Sequence, residues 1–193
     1  CEVVAKTQVS TDEETFLVSF KTPWTTKFQS GDLLAIYPAN DSRERLYSIG
    51  KHDGKLQLVV KLHEYGLGSG YLNQLEIGAK IKARVITNTA FHFPKQATKV
   101  ALISNGTGIA PFLGMIQEST PKTETHLYCG FRTETKSVAS YTKLAQEMMD
   151  QQRLQSVNLA LSRIPNGCRV TQLIERDAAF FKALLNENGV IMI

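Results

Sequence analysis

This sequence has no uninterrupted apolar run of membrane-spanning length, no even set of cysteines and no clustered histidines, and each absence removes a class of protein. The longest stretch without a charged residue, Val100 to Gln117, is about as long as a membrane helix, but Ser104-Asn105-Gly106-Thr107-Gly108 sits in its middle. Five such residues in a row predict a strand, a turn and a helix, with no membrane span. The three cysteines, Cys1, Cys129 and Cys168, are odd in number and irregular in spacing. They make neither a disulfide framework nor a zinc pattern, so a reducing compartment, the cytoplasm, is expected. His52, His63, His92 and His126 show no short ligand spacing, and no metal site is expected. Positive charge is not concentrated either. The net +4 divides evenly between the two halves, which argues against a nucleic-acid partner. No signal peptide opens the chain, and it begins at Cys1 instead of Met, so the sequence reads as a piece of a longer protein.

What is present is the material of two small domains. The 193 residues are 42% hydrophobic and 21% charged, enough to bury one large core or two cores of about 100 residues each. Up to residue 95, short β-branched and apolar stretches alternate with turn clusters. They are Val3 to Val9, Phe16 to Phe20, Leu33 to Tyr37, Arg45 to Ile49, Leu56 to Leu62 and Ile81 to Ile86, with Gln29-Ser30-Gly31-Asp32 and His52-Asp53-Gly54-Lys55 among the turns. Strands at this spacing predict an antiparallel β-barrel, with one brief helix near Gly70 to Leu75.

After Pro94 the period changes. Val100 to Ser104, Thr125 to Cys129, Val157 to Leu161 and Val190 to Ile193 are short apolar runs suited to a parallel sheet covered on both faces. Helical patterns lie between them. One runs from Ile109 to Glu118 with Pro111 in its first turn. A second carries Val138, Tyr141, Leu144, Ala145, Met148 and Met149, with Ser137 as the expected N-cap, and a third carries Leu173, Ile174, Phe181, Leu184 and Leu185. This alternation predicts a doubly wound α/β domain over 96–193, following a β domain over 1–95.

Two glycine-bearing stretches point to phosphate chemistry. Gly106-Thr107-Gly108 falls at the first strand-to-helix junction of the α/β domain. There, backbone N–H groups and the positive helix end can approach a pyrophosphate. Arg45-Leu46-Tyr47-Ser48 is a strand whose period of two sets a cation beside an aromatic plane. Gly66-Leu67-Gly68-Ser69-Gly70 leads into the short helix. Taken singly, the glycines are also compatible with plain turns, and Arg45 and Tyr47 with a solvated charge and an ordinary strand aromatic.

In chain order these segments resemble the ferredoxin-NADP reductase superfamily, most closely the FAD/NADPH half of diflavin reductases of the sulfite reductase flavoprotein and cytochrome reductase type. The resemblance rests on Gly31 to Pro38 (GDLLAIYP), Arg45 to Ile49 (RLYSI), Gly66 to Leu72 (GLGSGYL), Phe91 to Pro94 (FHFP), Gly106 to Phe112 (GTGIAPF), Tyr128 to Arg132 (YCGFR) and Ser162-Arg163. It implies an FAD-dependent oxidoreductase that takes hydride from NADPH and hands electrons to an FMN- or flavodoxin-like domain or another small one-electron carrier. It further implies Arg45 on the flavin pyrophosphate, Tyr47 against the isoalloxazine and Ser48 near the hydride-accepting nitrogen. Gly66, Leu67, Gly68 and Ser69 fall to the FAD pyrophosphate. Gly106, Thr107, Gly108 and Pro111 fall to NADPH, Thr107 facing the nicotinamide. Ser48 and Thr107 hold the catalytic positions as orienting groups.

Arg132, Ser162, Arg163 and Arg169 are expected around the ribose 2′-phosphate, because no carboxylate competes there and arginine forks suit phosphate. Three departures from the family pattern stand out. Ala39 to Glu44 leads straight into Arg45 where diflavin reductases insert a helical region. Arg169 stands where the family places Tyr. The family's nicotinamide-side Cys and its terminal aromatic would lie beyond Ile193, which reads as a C-terminal truncation that leaves this piece impaired. A flavin- or dinucleotide-binding piece without turnover, or an NADH-dependent reductase of an iron-sulfur protein, are the competing expectations. The parent protein could be tethered to the cytoplasmic side of a membrane.

Overall fold

The structure is a computed structural model in which residues 1–9, 14–38, 41–120 and 122–193 are described. The start of the Ala39 to Glu44 connection therefore lies outside the described residues. Eight elements form the N-terminal part: β1 (Glu2–Lys6), β2 (Thr15–Lys21), β3 (Leu33–Ile36), β4 (Arg45–Ser48), β5 (Gly50–His52), β6 (Lys55–Lys61), α1 (Leu67–Gln74) and β7 (Ala83–Ile86). They make two antiparallel sheets, ordered β1-β2-β6-β5 and β4-β3-β7. Phe16, Val18 and Phe20 of β2, Leu34 and Ile36 of β3, and Leu56, Leu58 and Val60 of β6 turn inward and share one core, which Leu72 of α1 plugs. The alternation apolar-in, polar-out is what the period of two provides on a sheet with one buried face.

The run from Arg45 to Ile49 is not one strand but a change of sheet. β4 ends at Ser48, Ile49 exchanges backbone bonds with Gly31 and Asp32, and β5 continues against β6 in the other sheet. Asp53 and Gly54 both have positive φ, 48° and 72°, so the expected turn is a two-residue hairpin loop of the type that suits strand twist. The short helix starts at Leu67, three residues before the expected Gly70, and takes in the glycine stretch.

The C-terminal part runs β8 (Lys99–Asn105), α2 (Ile109–Glu118), β9 (Glu124–Phe131), α3 (Lys136–Asp150), β10 (Ser156–Leu161), α4 (Val170–Arg176), α5 (Ala178–Asn186) and β11 (Val190–Met192). All four strands are parallel, in the order β10-β9-β8-β11. Val100 and Leu102 face α2 and α3, whereas Ala101 and Ile103 face α4 and α5. Both sheet faces are thus covered, as a doubly wound fold requires.

Two sequence expectations are corrected. Ser137 lies inside α3, and the cap is Thr135, whose hydroxyl accepts a bond from the Val138 N–H. The Leu173 to Leu185 pattern is two helices, because Tyr128 donates from its buried hydroxyl to Asp177, the residue between them. Burial, the Asp177 hydrogen bond and the Asp177 charge push the Tyr128 phenol up to about 12, so it stays a donor.

The two parts meet without a spacer. Val59 of β6 points away from its own sheet's core and into that of the α/β part. A Cβ on Gly50 would run into the Ala110 carbonyl, and one on Gly114 into Ser30 and the Lys51 backbone, so β5 and α2 touch main chain to main chain. The connecting segment is pinned as well. Asp32, 3% exposed, accepts from Gln29 N and Asn88 N at 2.9 Å and lies 2.6 Å from His92 Nε2. Phe91, from the same segment, packs on Phe112 of α2 at 5.5 Å between ring centroids.

Candidate functional site

The strand order puts β8 beside both β9 and β11, and between β8 and β11 the chain direction of the winding reverses. Ligands in open α/β sheets bind at the carboxyl ends of the strands beside such a switch point. A pocket of about 450 Å³ opens there, lined by Asn105, Gly108 and Pro111 after β8, by Ile193 after β11, and by Ser48 and Phe91 from the N-terminal part. Ser48 and Pro111, 63 positions apart in the chain, thus line one cleft.

A second pocket, of about 490 Å³, opens beside it over the ends of β8, β9 and β10. Gly106, Thr107, Arg132 and Arg163 line it. Gly106 has a φ of +56° and neither it nor Gly108 has a crowding neighbour: a Cβ on Gly106 would meet nothing within 4 Å, and one on Gly108 only Ser104 Cβ at 4.0 Å. The turn therefore presents bare backbone to open space at the start of the ten-residue α2, where the first N–H groups have no partner within the helix. Ser162 stands behind this pocket with its hydroxyl on the Phe131 carbonyl at 3.2 Å, and Arg163 N–H bonds to the Arg132 carbonyl at 2.6 Å. Arg169 precedes α4 and its N–H is taken by Gln172 Oε1 at 2.8 Å; it is not among the residues lining the pocket.

The third group of expected residues meets at α1. Arg45 and Tyr47 share a face of β4, and both lie on Gly68: a Cβ there would come within 2.5 Å of Tyr47 Oη and 3.0 Å of Arg45 Cγ. Leu46, on the opposite face, is half exposed. Burial raises the Tyr47 phenol above its ordinary value, with the Arg45 charge working the other way, so the ring is neutral at physiological pH. Gly66 precedes the helix, and Leu67, Gly68 and Ser69 form its first turn. The Ser69 hydroxyl is spent on the loop, accepting from His63 N at 3.1 Å and donating to Gly66 O at 3.3 Å. What remains at this helix end for a ligand is backbone N–H. Arg45 itself is engaged: one terminal nitrogen lies 2.7 Å from Asp41 Oδ2, and the other donates to the carbonyls of Arg43 and Glu44.

Some residues at these pockets went unseen in the sequence. Lys61 of β6, paired with Glu14 at 3.2 Å, brings a cation from the N-terminal part to the Gly106 pocket. Phe131 and Tyr141, stacked at 6.1 Å, form an aromatic wall there. No local motif marks them; only the packing of β6 against the α/β part puts Lys61 in place. Cys129 is an ordinary strand residue, its thiol pushed up to about 12 by burial. Among the described residues no group of His, Cys, Asp or Glu is arranged to hold a metal, and no helix is long and apolar enough to cross a membrane.

Comparison with known proteins follows this geometry. Residues 1–89 match the oxidoreductase FAD-binding domain and residues 102–192 the oxidoreductase NAD-binding domain. An NADPH-dependent diflavin oxidoreductase 1 from Cryptococcus neoformans is 27% identical over 186 residues, covering 87% of this chain and 29% of that protein. The sulfite reductase [NADPH] flavoprotein alpha-component from Vibrio vulnificus is 35% identical over 166 residues, covering 71% of this chain and 27% of that protein. The chain thus spans less than a third of these curated relatives. Among solved structures, ferredoxin-NADP+ reductase from Plasmodium falciparum with 2′P-AMP superposes with a TM-score of 0.81 at 20% identity, over 99% of this chain and 84% of that one.

Proposed function

This chain belongs to the flavoprotein oxidoreductases that join an FAD-binding domain to an NAD-binding domain, homologous to the diflavin reductases, and from that premise we propose that it moves hydride from NADPH to FAD and electrons onward to an FMN- or flavodoxin-like carrier. One observation carries the reading. Ser48 and Phe91 of the first domain and Gly108 and Pro111 of the second line a single pocket at the switch point of the parallel sheet. Hydride transfer needs two rings in contact, and this cleft is where groups held by the two domains can meet.

FAD, when bound, supplies the conversion between a two-electron hydride donor and one-electron acceptors. The chain's own residues bind and orient. Bare backbone at Gly106 and Gly108 and the start of α2 would take the NADPH pyrophosphate, with Arg132 and Arg163 toward the 2′-phosphate. Thr107 and Ser48 would fix the facing rings without donating protons. Gly68 lets Tyr47 and Arg45 lie against α1, which suits a flavin whose diphosphate meets the Leu67 to Ser69 N–H groups. The domain pair sits within one end of longer relatives, so the onward carrier is assigned by relationship to the diflavin enzymes. The absorbance spectrum of the flavin-loaded chain, recorded anaerobically with NADPH and then with NADH, tests the reading. Bleaching of the flavin band at low NADPH and only at much higher NADH is expected; equal or better bleaching by NADH would overturn the NADPH assignment.

A further inference from the structure

We propose that Asp41 is a built-in competitor for the flavin diphosphate at Arg45 and thereby sets how tightly FAD is held. The inference rests on the reading above that Arg45 serves the diphosphate. Its starting point is that the guanidinium is already satisfied by the chain itself. One terminal nitrogen is 2.7 Å from Asp41 Oδ2, while the other donates to Arg43 O at 3.0 Å and Glu44 O at 3.4 Å. The Asp41 side chain is only 12% exposed and that of Arg45 30%, so the pair is well shielded.

Asp41 is itself fixed. Its Oδ1 accepts from Arg43 N at 2.9 Å and Arg43 Nε at 3.4 Å, and its own N–H bonds to Pro38 O. The Arg43 N–H bond, followed by the Arg43 and Arg45 side chains, outweighs partial burial and holds the Asp41 carboxyl below the ordinary range, so it is anionic at neutral pH. A carboxylate and a phosphate offer a guanidinium the same planar pair of acceptors. The stem of Arg45 meanwhile lies on Gly68, next to the helix end whose N–H groups are available. Rotation about the outer side-chain bonds lets the head serve either Asp41 or a diphosphate there, and each anion that gains it deprives the other. The expected consequence is FAD that binds more weakly than the phosphate contacts alone allow and exchanges readily.

The test titrates the flavin-free chain with FAD and with riboflavin, which lacks phosphate, and follows flavin fluorescence. Asp41→Asn keeps an acceptor for Arg43 N and removes the charge, so the turn survives. About tenfold tighter FAD binding is expected, with riboflavin unchanged and with no gain when Arg45→Ala is also present. Weaker FAD binding in Asp41→Asn would make Asp41 a support for Arg45 and overturn the proposal. Equal tightening of riboflavin would also overturn it, since the effect would not lie at the phosphates. If Arg45→Ala alone leaves FAD affinity unchanged, the assignment of Arg45 to the diphosphate fails and the proposal with it. If Arg45→Ala weakens FAD but Asp41→Asn does not tighten it, only the competition fails.

Discussion

The molecule has two glycine-marked helix starts, and their glycines are there for opposite reasons. At α1, Gly68 is crowded, with Tyr47 Oη and Arg45 Cγ within 3.0 Å of where its Cβ would be. At α2, Gly106 and Gly108 are surrounded by empty space, and Gly106 adopts a φ of +56°. The first site uses glycine to let the protein's own side chains close in. The second uses it to keep the protein out, leaving room at a helix end whose N–H groups are unpaired. A glycine-rich string looks the same in both places, yet only the second is a vacancy shaped for a ligand.

The sharpest way to separate the two sites is to remove the cation at each. Arg163→Ala should cost roughly ten- to a hundredfold in NADPH affinity, about 1.5 to 3 kcal/mol, with NADH and FAD little changed. Arg45→Ala should produce a loss of the same order in FAD affinity and leave NADPH untouched. Isothermal titration with each nucleotide would show the crossed pattern; a variant that weakens both cofactors alike would break the comparison.

A smaller effect comes from the glycines themselves. Gly68→Ala gains about 1 kcal/mol of helix propensity but must displace Tyr47 and Arg45, so a net loss of about 1 kcal/mol in urea unfolding is expected, together with weaker flavin binding. Gly108→Ala meets open space, and its stability should change by less than about 0.5 kcal/mol. Its NADPH affinity should nonetheless fall about tenfold, because the added methyl occupies ligand space. An unfolding change larger at Gly108 than at Gly68 would reverse the assignment of crowding.

The smallest effect lies between the sites, at Asp32. Burial pushes its carboxyl up, but bonds from Asn88 N, His92 and Gln29 N prevail and hold it below the ordinary value. The folded state therefore favours the anion. The stabilisation is fully present above the unfolded pKa of about 3.9 and is lost as pH falls through the lower folded value. Asp32→Asn should lower the urea midpoint by an amount equivalent to about 1 kcal/mol at pH 7, and this gap should narrow only below about pH 4. A gap that closes already between pH 5 and 6 would assign the effect to another group.

The sequence made the two-part plan and the Gly106 turn legible because both are local: an alternation of period two gives way to strand-helix pairs, and glycines sit at a junction. It misplaced what depends on distant partners. Ile49 reads as the end of one strand, but the switch of sheet there is imposed by Gly31 and Asp32. Leu173 to Leu185 reads as one helix because the pattern cannot register Tyr128 pulling on Asp177 from a neighbouring strand. The same holds at the site. Arg163 and Thr107 were found at strand ends, where motif and chemistry coincide, whereas Lys61 is carried in on the face of a strand from the other domain. Ser69 was legible as part of the loop, but its hydroxyl turns out to hold that loop together.

The main-chain contact of β5 with α2 has a bearing on how the reaction coordinate tolerates change. Most domain pairs meet through layers of side chains, which creep and repack as sequences drift. Here Gly50 and Gly114 leave no such layer, so the spacing between Ser48 on one side and Pro111 on the other is set by peptide groups in register. The cleft is gauged like a machined joint, and surface evolution elsewhere can retune affinity and partner choice while the gap across which a hydride would travel stays fixed.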